Sequence, residues 1–292
     1  MQIVHSSKAF AGLAAVVLAS LGMVQAAGEP DHAASGAPPA DAATDTTTAD
    51  RGGRVPDPGI VALAPFSAVA AGGPPPAPWQ HRTLPRVPQT NRFALVEVDG
   101  RTVLQVRSEA AASTLVDPLA LDPQRHPLLH WRWQVSNPVA ASDFTRKDGD
   151  DYAARVYVLF DYPTERLPLL QRLSMALARN LHGTELPAAA IAYVWGTAQP
   201  AGATGPNPYT DRVQMIVVES GAARAGQWVT VRRDVAADFA AVFGEPAPPV
   251  TAVAVGADTD NTGEAVTTLF GDLWFAARDV TPPAGGDAAP GR

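Results

Sequence analysis

From Lys147 to Tyr162 an acidic turn runs into a segment of strict two-residue alternation. Ala154, Val156, Val158 and Phe160 fall on one side of it, Arg155, Tyr157, Leu159 and Asp161 on the other. A period of two is that of a β-strand, whose successive side chains point to opposite faces of the sheet. The pattern predicts a strand with one core face and one polar face that includes an aromatic ring. Asp148, Asp150 and Asp151 surround Gly149, which is expected to supply the positive φ of a tight turn.

The same alternation recurs along the chain. Residues 60–70 hold the first apolar segment, and 82–87 read as a short edge strand limited by Pro85. Residues 92–98 and 102–108 flank Asp99-Gly100, a strong hairpin signal between alternating runs. Residues 113–116 lead into a proline-punctuated loop. In 128–135, Trp131, Trp133 and Val135 share a face, and His130, Arg132 and Gln134 share the opposite one. Strands are also expected over 188–195, 212–219, 228–233, 250–257 and 266–275. Two stretches carry a helical period instead. Leu169, Leu173, Leu177 and Leu181 recur up to Gly183, a stripe that would pack on a sheet. Asp234 can cap a helix over 235–243 whose Val235, Phe239 and Phe243 share a face.

Many short strands with two helical interruptions describe a mainly β chain. The expectation is an antiparallel β-sandwich, jelly-roll-like, over residues 60–278, with one or two short packed helices. In that topology the first and last strands can pair in one sheet. A doubly wound α/β fold would need a helix after most strands, and those are missing.

Composition agrees with this picture. Hydrophobic residues make up 46% of the chain and charged ones 17%, with 28 prolines and 24 glycines; that leaves room for a core and for many turns. The formal charge of −7 argues against general nucleic-acid binding, which needs a basic footprint. There is no cysteine, so stability must come from the core, within reach of a domain of ~200 residues. Residues 1–26 read as a signal peptide: Lys8, an apolar run over 9–21, and a small-x-small site at Val24-Gln25-Ala26. The run is short for a membrane span, so the mature chain is expected to lack a transmembrane segment and to be periplasmic or secreted. Residues 27–59, rich in Ala, Asp, Thr, Gly and Pro, cannot bury enough surface to offset their ordering entropy and are expected to form a disordered linker. Residues 279–292 read as a flexible tail.

Four motifs occur in order: His130-Trp131-Arg132-Trp133, Lys147 to Tyr157, Asn207-Pro208-Tyr209-Thr210-Asp211-Arg212, and Asp258-Thr259-Asp260-Asn261-Thr262-Gly263-Glu264. Together they resemble a bacterial exported family catalogued as domain of unknown function 3047, over roughly residues 65–275. The resemblance implies no activity, since the family's name records none. The closing Gly271-Asp272-Leu273-Trp274-Phe275 is similar, more loosely, to the last strand of jelly-roll carbohydrate-binding modules.

The acid-rich turns are candidates for Ca²⁺, which takes six to eight oxygens. Asp258, Asp260, Asn261 and Glu264 supply side-chain oxygens before the closing strand, and Asp148, Asp150 and Asp151 form a second cluster. A solvated turn with Asx hydrogen bonds is the alternative. No Gly-x-Ser-x-Gly occurs.

The polar strand faces offer His130, Arg132 and Gln134, Arg155 and Tyr157, Trp195 with Tyr193, and Arg212 with Gln214. Lying side by side they would set arginines among aromatics. Such a face suits a glycan or another small anionic ligand, since rings stack on sugars and guanidinium forks match carboxylates. The arginines could instead pair with Asp148, Asp150, Asp151, Asp211 and Glu219. The leading expectation is an exported ligand-binding protein. A polysaccharide hydrolase or lyase in the same groove and a structural protein of the cell envelope are the alternatives.

Overall fold

In a computed structural model, residues 59–84, 87–169 and 188–280 are described. The expected signal peptide, almost all of the linker, the leucine-periodic helix from 170 onward and most of the tail lie outside them. No helix among the described residues is long and apolar enough to cross a membrane.

The strands are β1 (Ile60–Ala62), β2 (Gln80–Thr83), β3 (Arg92–Val98), β4 (Arg101–Glu109), β5 (Ala112–Leu121), β6 (Leu128–Val135), β7 (Tyr152–Phe160), β8 (Ala190–Gly196), β9 (Thr204–Asn207), β10 (Thr210–Ser220) and β11 (Val229–Asp234). Helix α1 (Val235–Phe243) follows, then β12 (Val250–Asp258), β13 (Ala265–Phe270) and β14 (Trp274–Ala276). They form two sheets. The first runs β1-β14-β6-β13-β4-β3, with β11 on the other edge of β6; the second runs β2-β5-β12-β7-β8-β10-β9. The first and last strands do pair, Ile60 opposite Ala276.

The sheets face each other over one apolar core. From the first sheet come Leu104, Val106, Trp131, Trp133 and Phe270; from the second come Val156, Val158, Tyr193, Trp195 and Val255. Trp131 meets Tyr193 at 5.3 Å and Trp133 meets Trp195 at 6.2 Å, ring centre to ring centre, across the gap. Helix α1 closes one end, with Phe239 edge-on to Phe160 at 4.6 Å. The Asp234 carboxylate accepts from the Ala237 N–H at 2.9 Å, the expected cap, and Gly244 ends the helix at φ 76°.

Four local expectations need correction. Strands β8 and β10 are parallel, so the second sheet is mixed. The last strand is split in two around Gly271, which the Arg132 side chain crosses. A Cβ there would meet the Arg132 side chain at 2.7 Å. Strand β5 extends through Pro118, where the pairing with β12 shifts register between Val250 and Ala252; an irregularity is one place a sheet tolerates a residue without an N–H. Gly149 is not among the positive-φ glycines. It sits in a short 3-10 turn (Lys147–Gly149), and a Cβ would meet the carbonyl oxygens of Ala141 and Asp143 at 2.9 Å. Space, not dihedral freedom, requires glycine there.

Candidate functional site

Three of the four motifs meet where β7 begins and β12 ends. Strand pairing sets Asp258 opposite Tyr152 and Gly256 opposite Arg155. The β9–β10 turn brings Asn207 and Tyr209 to the same place. Arg155 is 1% exposed. One of its terminal nitrogens donates to the Asp150 carbonyl at 2.5 Å and to the Asp150 carboxylate at 3.1 Å. It also pairs with the Asp258 carboxylate at 2.9 Å. The other donates to the Tyr157 hydroxyl at 3.1 Å, and the guanidinium lies 4.6 Å from the Tyr152 ring centre. Asn207 donates its amide to the second Asp150 oxygen at 2.8 Å. Arg155 is thus the hub of a buried polar network.

Beside it stands a carboxylate cluster. Asp151, Asp258 and Asp260 each offer an oxygen, and these oxygens lie within 4.8 Å of one another. The Asn261 amide and the Thr262 N–H donate to the two Asp151 oxygens at 2.9 and 2.7 Å, tying the loop after β12 to the turn before β7. The second oxygen of Asp258 is buried without a hydrogen-bond partner. Burial pushes the Asp258 carboxyl well up from its usual range, against the pull of Arg155, and burial likewise raises Asp260. Burial also raises Tyr209, and the nearby negative charges of Asp150, Asp260, Asp258 and Asp151 raise it further.

A recess of about 10 Å³, lined by Arg155, Tyr157, Gly256, Asp258 and neighbours from β5, opens beside the hub. That is the room a single water needs. A larger groove of about 370 Å³ lies against Ala236, Ala237 and Ala240 of α1; among the described residues it holds no acidic cluster like the one beside Arg155.

The residues expected to share one ligand face are dispersed. Arg155 and Tyr157 point away from the core of the second sheet, yet both are buried. His130, Arg132 and Gln134 belong to the first sheet, on its outward face. Trp195 is inside the sandwich, its indole N–H bonded to the Gly221 carbonyl at 3.0 Å. Arg212 is half-buried between the rings of Tyr162 and Phe243 and donates to the Ala188 carbonyl at 2.6 Å. Gln214 folds back on the Asp211 carbonyl. Alternation decides whether a residue points in or out of its sheet, but not which sheet its strand joins.

Of the expected calcium set, Asp258 and Asp260 remain together. Asn261 serves as a donor to Asp151, and Glu264 turns away to accept from the Ala140 N–H at 3.0 Å. Asp151 takes their place. It was visible in the sequence as part of the second acidic turn, but a contact across 107 residues of chain is not legible from spacing.

On the outward face of the first sheet, His130 stacks on Trp274 at 5.1 Å and is buried. Burial, and then the Arg232 charge, push it down from 6.5 to about 4. Between those values the unfolded chain binds a proton that the folded one does not. The stabilisation is therefore full above pH 6.5 and is lost as the pH falls toward 4. The whole shift corresponds to about 3 kcal/mol; discounted for water that still screens the ring, about 1–2 kcal/mol is expected. Urea midpoints at pH 7 and 4.5 measure it, and His130→Gln should flatten that part of the slope. An unchanged slope would show that His130 is solvated.

Gly149 gives a second expected result. Gly149→Ala should cost about 1–3 kcal/mol, because two backbone carbonyls must move. A urea midpoint within error of the parent would mean that the turn is loose.

No curated protein matches the chain. Among solved structures it is similar to the family 30 carbohydrate-binding module of a cellulosomal cellulase of Clostridium thermocellum, at 11% identity and a TM-score of 0.33, covering 75% of this chain and 95% of that one. It is similar to a mutant family 29 carbohydrate-binding module at 9% identity and a TM-score of 0.29, covering 71% of this chain and 100% of that one. An engineered cellulase derived from the Cel12A enzyme of Rhodothermus marinus gives 14% identity and a TM-score of 0.34, covering 66% of this chain and 95% of that one. At TM-scores of 0.29–0.34 these likenesses assign neither ligand nor residue. The family described as "Protein of unknown function (DUF3047)" matches residues 77–274, a span that holds β2 to β13 and every side chain of the Arg155 network and the carboxylate cluster. The chain belongs to the DUF3047 family.

Proposed function

We propose that the protein works outside the cytoplasm as a glycan-binding module, with a Ca²⁺ ion held by Asp151, Asp258 and Asp260 to staple its loops. The convergence of those three carboxylates carries the cation half of the reading. Oxygens on opposite sides of a calcium ion stand roughly 5 Å apart, and the three oxygens here spread over no more than 4.8 Å. Among the described residues, Asp150, Asp151, Asp258 and Asp260 share one buried cation, Arg155, so the cluster has negative charge to spare. Without a cation, burial favours a proton on Asp258 and on Asp260. A cation replaces such protons and releases them.

Calorimetric titration with Ca²⁺, alongside thermal unfolding in Ca²⁺ and in EDTA, tests the ion. At a hundredfold excess over the dissociation constant the expected stabilisation is about 2.7 kcal/mol. Asp260→Asn should abolish it while sparing the Arg155–Asp258 pair. A midpoint that neither Ca²⁺ nor EDTA moves overturns the cation. A glycan array probed with the mature chain tests the ligand.

A hydrolase is the second reading, since burial-raised carboxyls such as Asp258 and Asp260 can act as general acids. The recess of about 10 Å³ beside Asp258 holds no sugar ring, which is why binding stands first. Release of reducing sugar from a bound polysaccharide would reverse that order.

A further inference from the structure

We infer that the outward face of the first sheet is a docking surface for an acidic polysaccharide, read by arginine guanidinium groups. The inference rests on the glycan half of the reading above and is independent of the cation. Core packing of Leu95, Leu104, Val106, Trp131 and Val231 fixes which residues of the neighbouring strands point outward. Alternation then puts Arg92, Arg101, Arg107, Arg132 and Arg232 on that face. Arg92 stands directly opposite Arg107 in the β3–β4 ladder, and Arg232 opposite His130 in the β6–β11 ladder.

The face is segregated by charge in a chain whose net charge is −7. Among the described residues, the outward positions of β3, β4, β6, β11 and β13 hold two carboxylates, both at strand tips. Glu109 ends β4. Asp234 ends β11 and is taken by Arg278 at 2.6 Å and by the cap of α1. Arg92, Arg101, Arg107 and Arg232 are exposed, and none makes an ion pair among the described residues. Directly opposed like charges such as Arg92 and Arg107 destabilise a sheet, so an anion that bridges them is favoured.

The geometry also narrows the class of anion. Guanidinium forks match carboxylates in pairs of hydrogen bonds. From the Arg107 row to the Arg101 row is six residues along β4, about 20 Å at the strand's rise. That span calls for a polymer, not a single sugar. The Arg132 guanidinium lies over the Trp228 ring, 4.3 Å from its centre, which adds an aromatic surface to the face. A lipid surface fits less well. The exposed large hydrophobics among the described residues are Val69 and Leu169, and neither is on this face.

The test is retention of the mature chain by polygalacturonate and by alginate at low and high salt, with and without Ca²⁺. Dextran is the neutral control; duplex DNA and phosphatidylglycerol vesicles are the competing polyanions. Binding to an acidic polysaccharide that weakens with salt, that dextran does not show, and that drops about tenfold or more in Arg92→Gln/Arg107→Gln/Arg232→Gln supports the inference. These three side chains are exposed and unpaired, so the unfolding midpoint of the triple variant should match the parent's. Arg146→Gln, on the acidic turn with Asp148, should leave binding unchanged. No binding to either polymer, equal binding by the triple variant, or tighter binding to DNA or vesicles overturns the inference. A neutral glycan bound by parent and triple variant alike would overturn this surface while leaving the glycan-binding reading standing. The calcium titration stands apart from all of these outcomes.

Discussion

Arg155→Ala is expected to destabilise the folded protein by about 3–5 kcal/mol, the cost of leaving buried charge without its partner. The sequence places Arg155 on a polar strand face, where its loss would weaken a ligand and spare the fold. Among the described residues it is the only cation paired with Asp150 and Asp258, both almost fully buried. Without it, those carboxyls must take protons or admit water. The Tyr157 hydroxyl loses its Arg155 donor, while Asn207 still donates to the second Asp150 oxygen. Urea denaturation at pH 7 measures the loss as a lower midpoint at unchanged slope. Asp258→Asn in the Arg155→Ala background should recover part of it, since it removes one of the stranded charges. A loss below about 1 kcal/mol would mean that the network is solvated and worth no more than a surface pair. Because the proposed calcium ion would share Asp258 with Arg155, the variant should be measured both in Ca²⁺ and in EDTA.

The same residue shows where the sequence stops being legible. Alternation over β7 sorted its residues between the two faces of the strand correctly, and the alternation in β6 sent Trp131 and Trp133 inward as expected. The Asp-Gly hairpin, the Asp234 cap and the pairing of first with last strand were all written in local chemistry or in the topology class. What was not legible is what lies on top of an outward face. Arg155 and Tyr157 point outward and are buried all the same: the Asp150 carbonyl and carboxylate, in the turn before β7, take the guanidinium, which also donates to the Tyr157 hydroxyl. Nor could spacing place His130, Arg132 and Gln134 on one sheet and Arg155 on the other. The acidic cluster was half legible: each acidic turn is plain in the sequence. Their meeting depends on the antiparallel register that sets Asp258 beside Tyr152, a long-range pairing that no local pattern specifies.

Trp195→Ala should be as costly as the loss of Arg155, about 3–5 kcal/mol. A role as a stacking surface for sugar would predict the opposite: normal stability with lost binding. In the structure Trp195 is fully buried and faces Trp133 across the sandwich. Alanine there empties the space of an indole at the meeting point of two sheets, where Trp131, Trp133, Tyr193 and Phe270 already interlock and have little freedom to collapse. It also strands the Gly221 carbonyl, whose partner is the indole N–H. Trp195→Phe separates the two contributions, since it keeps much of the volume and loses the hydrogen bond. It should cost about 1–2 kcal/mol. Trp228→Ala is the contrasting change. Trp228 is only half-buried, under the Arg132 guanidinium on the outward face of the first sheet. That change should shift the unfolding midpoint little and weaken retention on polygalacturonate. If Trp195→Ala leaves the midpoint in place while Trp228→Ala lowers it sharply, Trp195 is not part of the core between the sheets and Trp228 carries packing that its exposure does not suggest.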